Sequence, residues 1–160
     1  MGAKKYRPRL VPEDKGPGIK TGPLKESTMT PLRVEEEVRT EFNKLEQTRA
    51  KKATLLFGKE RNVASHEFDL YEKNKVIGGI STSPWFNKKR TSNTGGQDRA
   101  AAELLWLSLW HGRERRIHIL TDEEMAKRLY KKFSGAIFQR NIEIHHFDLQ
   151  KKKFSHIGTL

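Results

Sequence analysis

The chain has no cysteine among its 160 residues. That absence excludes disulfides, thiolate metal sites and a cysteine nucleophile together. No stretch approaches the roughly 18 consecutive apolar residues of a membrane-spanning helix, so no membrane partner is expected. The first residues are basic, but no apolar segment follows them; a secretory signal is not expected, and a cytoplasmic location is. The chain lacks an internal repeat, a Gly-rich phosphate loop and a nucleophile elbow. Acidic residues are scarce relative to basic ones: 20 Asp and Glu face 32 Lys and Arg, a formal charge of +12. Such an excess attracts polyanions through counterion release. DNA is the expected partner and RNA the second candidate.

Apolar residues make up 34% of the chain, and the length suits one domain with a modest core. Five of the six prolines fall within the first 31 residues, with Gly16, Gly18 and Gly22 among them. Residues 1–30 therefore read as a flexible basic tail, its charge concentrated in Lys4, Lys5, Arg7 and Arg9. Residues 31–160 read as a single domain.

Order is expected from Thr30-Pro31, a favoured cap followed by the one helical position where proline is tolerated. Val34, Val38, Phe42 and Leu45 recur at helical spacing, and Glu35, Glu36 and Glu37 lie in the early turns. The spacing predicts a helix to about Lys51. Three extended segments follow: Ala53–Phe57, Ser65–Tyr71 and Lys75–Ser83. Alternation in the second predicts His66, Phe68 and Leu70 on one face, with Glu67, Asp69 and Tyr71 on the other. Gly78 and Gly79 suggest a bulge or a close backbone approach in the third. Pro84–Gln97 is polar and reads as a long mobile loop. A helix is expected over Asp98–Gly112, a strand over Arg115–Asp122, a helix capped by Thr121 or Asp122, and a last strand over Asn141–Leu149. Lys151–Lys153 then read as a basic tail. The order predicts an α/β fold, a mixed central sheet flanked by helices.

An acidic helix, a strand bearing Asp69 in the string HEFDLY, the turn EKNK, the strand VIGGISTS, then a helix and two more strands form a recognisable series over residues 32–148. This series resembles the PD-(D/E)XK nuclease superfamily, so the resemblance implies a restriction-endonuclease-like fold. It also implies that Asp69 is the first metal ligand and that Glu35 is the helix glutamate, with Glu36 and Glu37 as close competitors. The family's Glu-x-Lys pair falls on Gly79 and Ser81, which supply neither ligand nor charge. The resemblance therefore implies a nucleic-acid-binding domain with a degenerate catalytic site. One alternative is a Mg²⁺- or Mn²⁺-dependent nuclease whose site is rearranged. There Glu67 joins Asp69 and Glu35 in catalysis, Mg²⁺ sits on Asp69 and Glu35, and Lys75, Lys88 or Glu103 supplies what is missing. The other is a basic interaction protein of a ribonucleoprotein or phage assembly. Dimers are common in the family, which leaves a homodimer open.

Trp85 offers a stacking surface beside Lys88, Lys89 and Arg90. Arg113, Arg115 and Arg116 either line a phosphate-binding edge or are solvated loop charges. Gly95-Gly96 precedes a helix whose N-terminus could meet a phosphate. His145 and His146 are adjacent, so a strand sends them to opposite faces and opposes joint chelation. His118 reads as structural, and Trp106 and Trp110, four apart on a helix, read as a core stripe.

Overall fold

The computed structural model describes residues 29–58 and 63–160. The expected basic tail, with Lys4, Lys5, Arg7 and Arg9, lies outside the described residues apart from its last two positions. Helix α1 spans Pro31–Glu46, followed by β1 (Lys51–Phe57), β2 (Ala64–Glu72), β3 (Val76–Ser81), α2 (Thr94–Leu109), β4 (Arg115–Leu120), α3 (Glu123–Phe133), β5 (Ile142–Asp148) and β6 (Lys153–Thr159). The strands form one six-stranded sheet in sequence order. β1, β2 and β3 are an antiparallel meander, β3, β4 and β5 run parallel, and β6 returns antiparallel to β5. Parallel neighbours need long crossovers, which α2 and α3 supply.

The fold is thus the expected α/β arrangement, a mixed open sheet with helices on both faces. On one face Val34, Val38 and Phe42 of α1 pack on Leu70, Val76, Ile80, Ile117, Ile119 and Phe147. On the other, Ala100, Leu104 and Leu107 of α2 and Met125, Ala126 and Leu129 of α3 cover Phe68, Ile77, Leu120, Ile142 and Ile144. Strand β4 is buried on both faces from Arg116 to Leu120, as a central parallel strand requires. Among the described residues no helix is long and apolar enough to cross a membrane.

Several local expectations change. α1 stops at Glu46, short of Lys51, because Gln47 adopts a left-handed conformation (φ 53°) and Asn43 holds the departing chain. The Asn43 amide accepts from the Ala50 N–H and donates to the Ala50 carbonyl, both at 2.9 Å. Leu45, on the helical repeat, is consequently exposed. Stopping the helix here releases Lys51 and Lys52 to begin β1.

β2 alternates as predicted through its middle, with His66 beside Phe68 and both Glu67 and Asp69 toward Lys52, and departs from the prediction at Leu70. Lys51 faces Tyr71 and Ala53 faces Phe68, so Lys52 alone stands opposite Asp69 and Leu70. This bulge sends Phe68 and Leu70 into opposite core clusters. β3 has no bulge and pairs with β4 in unbroken register, and the close backbone approach expected at its glycines is found at Gly78, where a β-carbon would collide with the Ile117 carbonyl.

α2 starts at Thr94, one turn ahead of Asp98, with Asn93 Oδ1 accepting from the Gly96 N–H at 3.1 Å. A β-carbon at Gly96 would stand 2.8 Å from Ser83 Cβ, so only glycine lets the helix start lie against the end of β3. The preceding loop is held by many bonds: Asn87 Oδ1 accepts from Lys89 and Thr91 N–H, each at 3.0 Å, and the Asn93 N–H reaches the Trp85 carbonyl.

The expected basic tail after β5 is instead a tight turn into β6. Asp148 Oδ1 accepts from the N–H groups of Gln150 and Lys151, and Lys152 takes φ 50°. Only Phe154 and Ile157 mark this edge strand as apolar, too weak a pattern to distinguish it from a tail.

Candidate active site

β2 and β3 pair only from Leu70–Gly78 to Glu72–Val76 and then diverge. The split leaves the Ile80 N–H without a neighbour on β2, and Asp69 supplies one: its Oδ2 accepts from Ile80 at 2.9 Å. Arg39 on α1 donates to the Asp69 carbonyl at 3.3 Å. The bulge opposite Lys52 aims that ammonium at the same point. Lys52 Nζ lies 3.0 Å from Glu35 Oε2, 3.3 Å from Asp69 Oδ1 and 3.6 Å from Glu67 Oε1. Partial burial works against its charge, but the bond to Glu35 and the field of Asp69 outweigh this and hold Lys52 above the ordinary lysine value. Three of the expected acidic residues, Glu35, Glu67 and Asp69, therefore gather around one cation.

Glu103 approaches from α2. Its Oε2 is 2.8 Å from His66 Nε2, while its Oε1 is buried with no hydrogen-bond partner among the described residues. Burial raises its pKa, His66 opposes the shift, and the Asp69 charge adds to it. A β-carbon built on Gly79 would stand 2.5 Å from Glu103 Cγ, and closer still to its carboxylate carbon and Oε1. The Glu103 carboxylate thus occupies the space into which a side chain at position 79 would project.

His66 stacks on Trp106 with centroids 4.9 Å apart and planes within 8°. Ser81 shares a 2.8 Å hydrogen bond with His118 Nε2. His118 is fully buried, which pushes its pKa down to about 3 and keeps the ring neutral. Its Nδ1 has no partner among the described residues. Glu35, His66, Ser81, Arg99, Glu103 and Trp106 share the walls of a cleft of about 300 Å³ at the open end of the β2–β3 split.

The competitors of Glu35 are elsewhere: Glu37 pairs with Lys152 at 2.8 Å, and Glu36 is exposed. Lys75 pairs with Glu72 at 2.6 Å, beside the turn at the far end of β3. Lys88, Lys89 and Arg90 are exposed on the loop, where Lys88 and Arg90 border a second cleft with Phe86 and Glu124. Trp85 is half-buried; its N–H donates to Asp122 Oδ1 at 3.1 Å, and the Arg128 guanidinium lies 5.5 Å from its ring centroid.

The three arginines at the start of β4 do not form one surface. Arg113 is exposed. Arg115 binds Glu143 through Nε and Nη2 at 2.6 and 2.7 Å and reaches Glu46 at 2.9 Å. Arg116 is buried, and its guanidinium donates to the carbonyls of Leu107, Trp110 and Gly112 at the end of α2. That is a helix cap, because the last carbonyls of a helix have no internal partner.

Sequence reasoning missed Lys52 and Arg99 and read His66 only as an inward-packing side chain. Lys52 was hidden by the predicted helix end, and Arg99 by the late predicted start of α2. No family model, curated protein or solved structure matches the chain.

The residues fit a hard divalent cation in two respects. The donors are carboxylate oxygens, which suit Mg²⁺ or Mn²⁺, and the buried Oε1 of Glu103 lacks a partner. Lys52, however, stands between Glu35 and Asp69, and these carboxylates do not close into a three-ligand group among the described residues.

Proposed function

We propose that the chain is a divalent-metal-dependent nuclease with a restriction-endonuclease-like domain, its site rearranged so that Asp69, Glu103 and Glu35 hold the metal and Lys52 supplies the cation. The observation that carries this reading is the Glu103 carboxylate filling the space of the missing side chain at Gly79. The carboxylate absent from the Glu-x-Lys position is thereby available from α2. The fold supports the same reading, with an acidic-edged helix, an antiparallel meander carrying Asp69, then a helix and a strand parallel to β3.

Bound Mg²⁺ would stabilise charge on a phosphodiester and lower the pKa of a water. The chain's own groups do the rest. The Ile80 N–H fixes the Asp69 carboxylate, so its orientation does not depend on a ligand. His66, itself stacked on Trp106, fixes Glu103. Lys52 presents a positive charge where a phosphate oxygen would come to lie, and Arg99 adds one at the cleft wall. The net charge of +12 draws the nucleic acid in, and Lys88, Lys89 and Arg90 hold its backbone through contacts that carry no base information.

The test is incubation of labelled duplex DNA, single-stranded DNA and structured RNA with Mg²⁺, Mn²⁺ or EDTA. Cleavage should require metal and prefer DNA. Asp69→Ala and Glu103→Gln should each slow it by at least about a hundredfold, equivalent to a loss of about 2.7 kcal/mol in transition-state stabilisation. Retarded but intact nucleic acid, indifferent to EDTA, would overturn the nuclease. That outcome would support a binding domain with a silent site, a reading favoured by Lys52, which neutralises Glu35 and Asp69 without any metal.

A further inference from the structure

A second cluster of donor groups lies at the other end of the sheet, on β5 and β6. Glu143 and His145 are two apart on β5, so the pleat sends them to one face. His156 faces His145 directly across the β5–β6 pair, beside an irregularity between Ile144 and His145. One donor atom from each of Glu143, His145 and His156 lies within 4.8 Å of the others. His145 Nε2 is 2.9 Å from Glu143 Oε2, and the two imidazole centroids are 5.1 Å apart.

We propose that Glu143, His145 and His156 form a binding site for a divalent transition-metal ion of the zinc class, separate from the carboxylate site on β1–β3. Two imidazoles and one carboxylate are the donor set of zinc sites that keep a coordination position open, and imidazole favours such ions over Mg²⁺. His156 is exposed, so an ion can enter from solvent. A cleft of about 230 Å³, lined by Phe42, Leu45, Glu46, His145, Phe154 and His156, leaves room for a further ligand.

Arg115 acts as the outer support. It fixes both Glu143 oxygens, which still have lone pairs to spare, and Glu46 offsets part of its charge. Carboxylates that ligate metals are commonly held in this way by neighbouring donors. To hold an ion, His145 would offer it one ring nitrogen and keep its proton on the other.

The experiment uses the full chain without a histidine tag, carrying Asp69→Ala so that the oxygen-rich site does not contribute. Co²⁺ is the probe, read by its visible absorption. A saturable spectrum with one equivalent, displaced by Zn²⁺, is expected. His156→Ala and His145→Ala should each weaken binding by more than about a hundredfold, beyond the loss of a single outer support, while His111→Ala leaves it unchanged. No saturable spectrum, or one that survives in the His145→Ala/His156→Ala double variant, would overturn the site. Because His156 is exposed, its variant keeps the fold, which urea unfolding verifies. The result stands apart from the nuclease assay, since neither outcome here bears on cleavage at Asp69.

Discussion

Replacing Gly79 with alanine adds one methyl group where Glu103 already lies. The new carbon would stand 2.5 Å from Glu103 Cγ, with two further Glu103 atoms closer still. Gly79 has no left-handed backbone, so alanine meets no strain of its own and would gain about 0.5–1 kcal/mol in a strand. Overpacking costs about 1–3 kcal/mol, so Gly79→Ala should destabilise by about 1–2 kcal/mol. Glu103→Ala loses the bond to His66, about 1 kcal/mol, and removes a buried oxygen with no partner. In the double variant the methyl enters vacated space and its cost vanishes. Urea unfolding of the four proteins, with matching slopes, should therefore give a coupling of about 2 kcal/mol favouring the double variant. Additivity within about 0.5 kcal/mol would refute the claim that Glu103 stands in for the side chain of residue 79. Gly79→Glu in the Glu103→Ala background should then return part of the cleavage lost in Glu103→Ala alone.

Other outcomes follow from the same structure. Asp122→Ala removes the α3 cap to Met125 N–H and the tether to Trp85 N–H; it should cost about 1–2 kcal/mol and weaken nucleic-acid binding, as melting and gel retardation would show. Lys88→Ala and Arg90→Ala should each lower the slope of log K against log salt by about 0.9 without changing stability, whereas Arg116→Ala should unfold the protein more readily and leave the slope unchanged. His118, held near 3 in the fold and near 6.5 when unfolded, makes the unfolded state bind the extra proton as pH falls between those values. Stability should therefore fall through that window by up to about 1.4 kcal/mol per pH unit, and His118→Gln should flatten the curve. Glu143, held down to about 2 first by its Arg115 bond, adds stability above pH 4.5 that is lost as pH falls toward 2; Glu143→Gln should remove that segment alone.

Much of this molecule is legible in the chain by itself. Helical spacing in Val34, Val38 and Phe42, the alanine-rich run of α2 and the apolar strand before Asp122 define elements because local periodicity and burial act over few residues. A cap at Thr121 or Asp122, which the fold places at Asp122, and Trp106 and Trp110 as packing groups were equally visible. Asp69, Glu35 and Glu67 could be named as candidates from the order of elements and the string HEFDLY, and the fold brings all three to Lys52. The rest is set where distant segments meet. The Asn43 bonds that end α1, and so deliver Lys52 to Asp69, join residues whose partnership no local pattern encodes. The bulge opposite Lys52 is a property of a strand pair rather than of either strand. Arg115 and Arg116, adjacent and alike in the chain, are separated by the pleat into an ion pair and a buried helix cap. Gly79 and Glu103 are far apart in sequence, and only packing α2 on β3 puts one side chain into the space the other lacks.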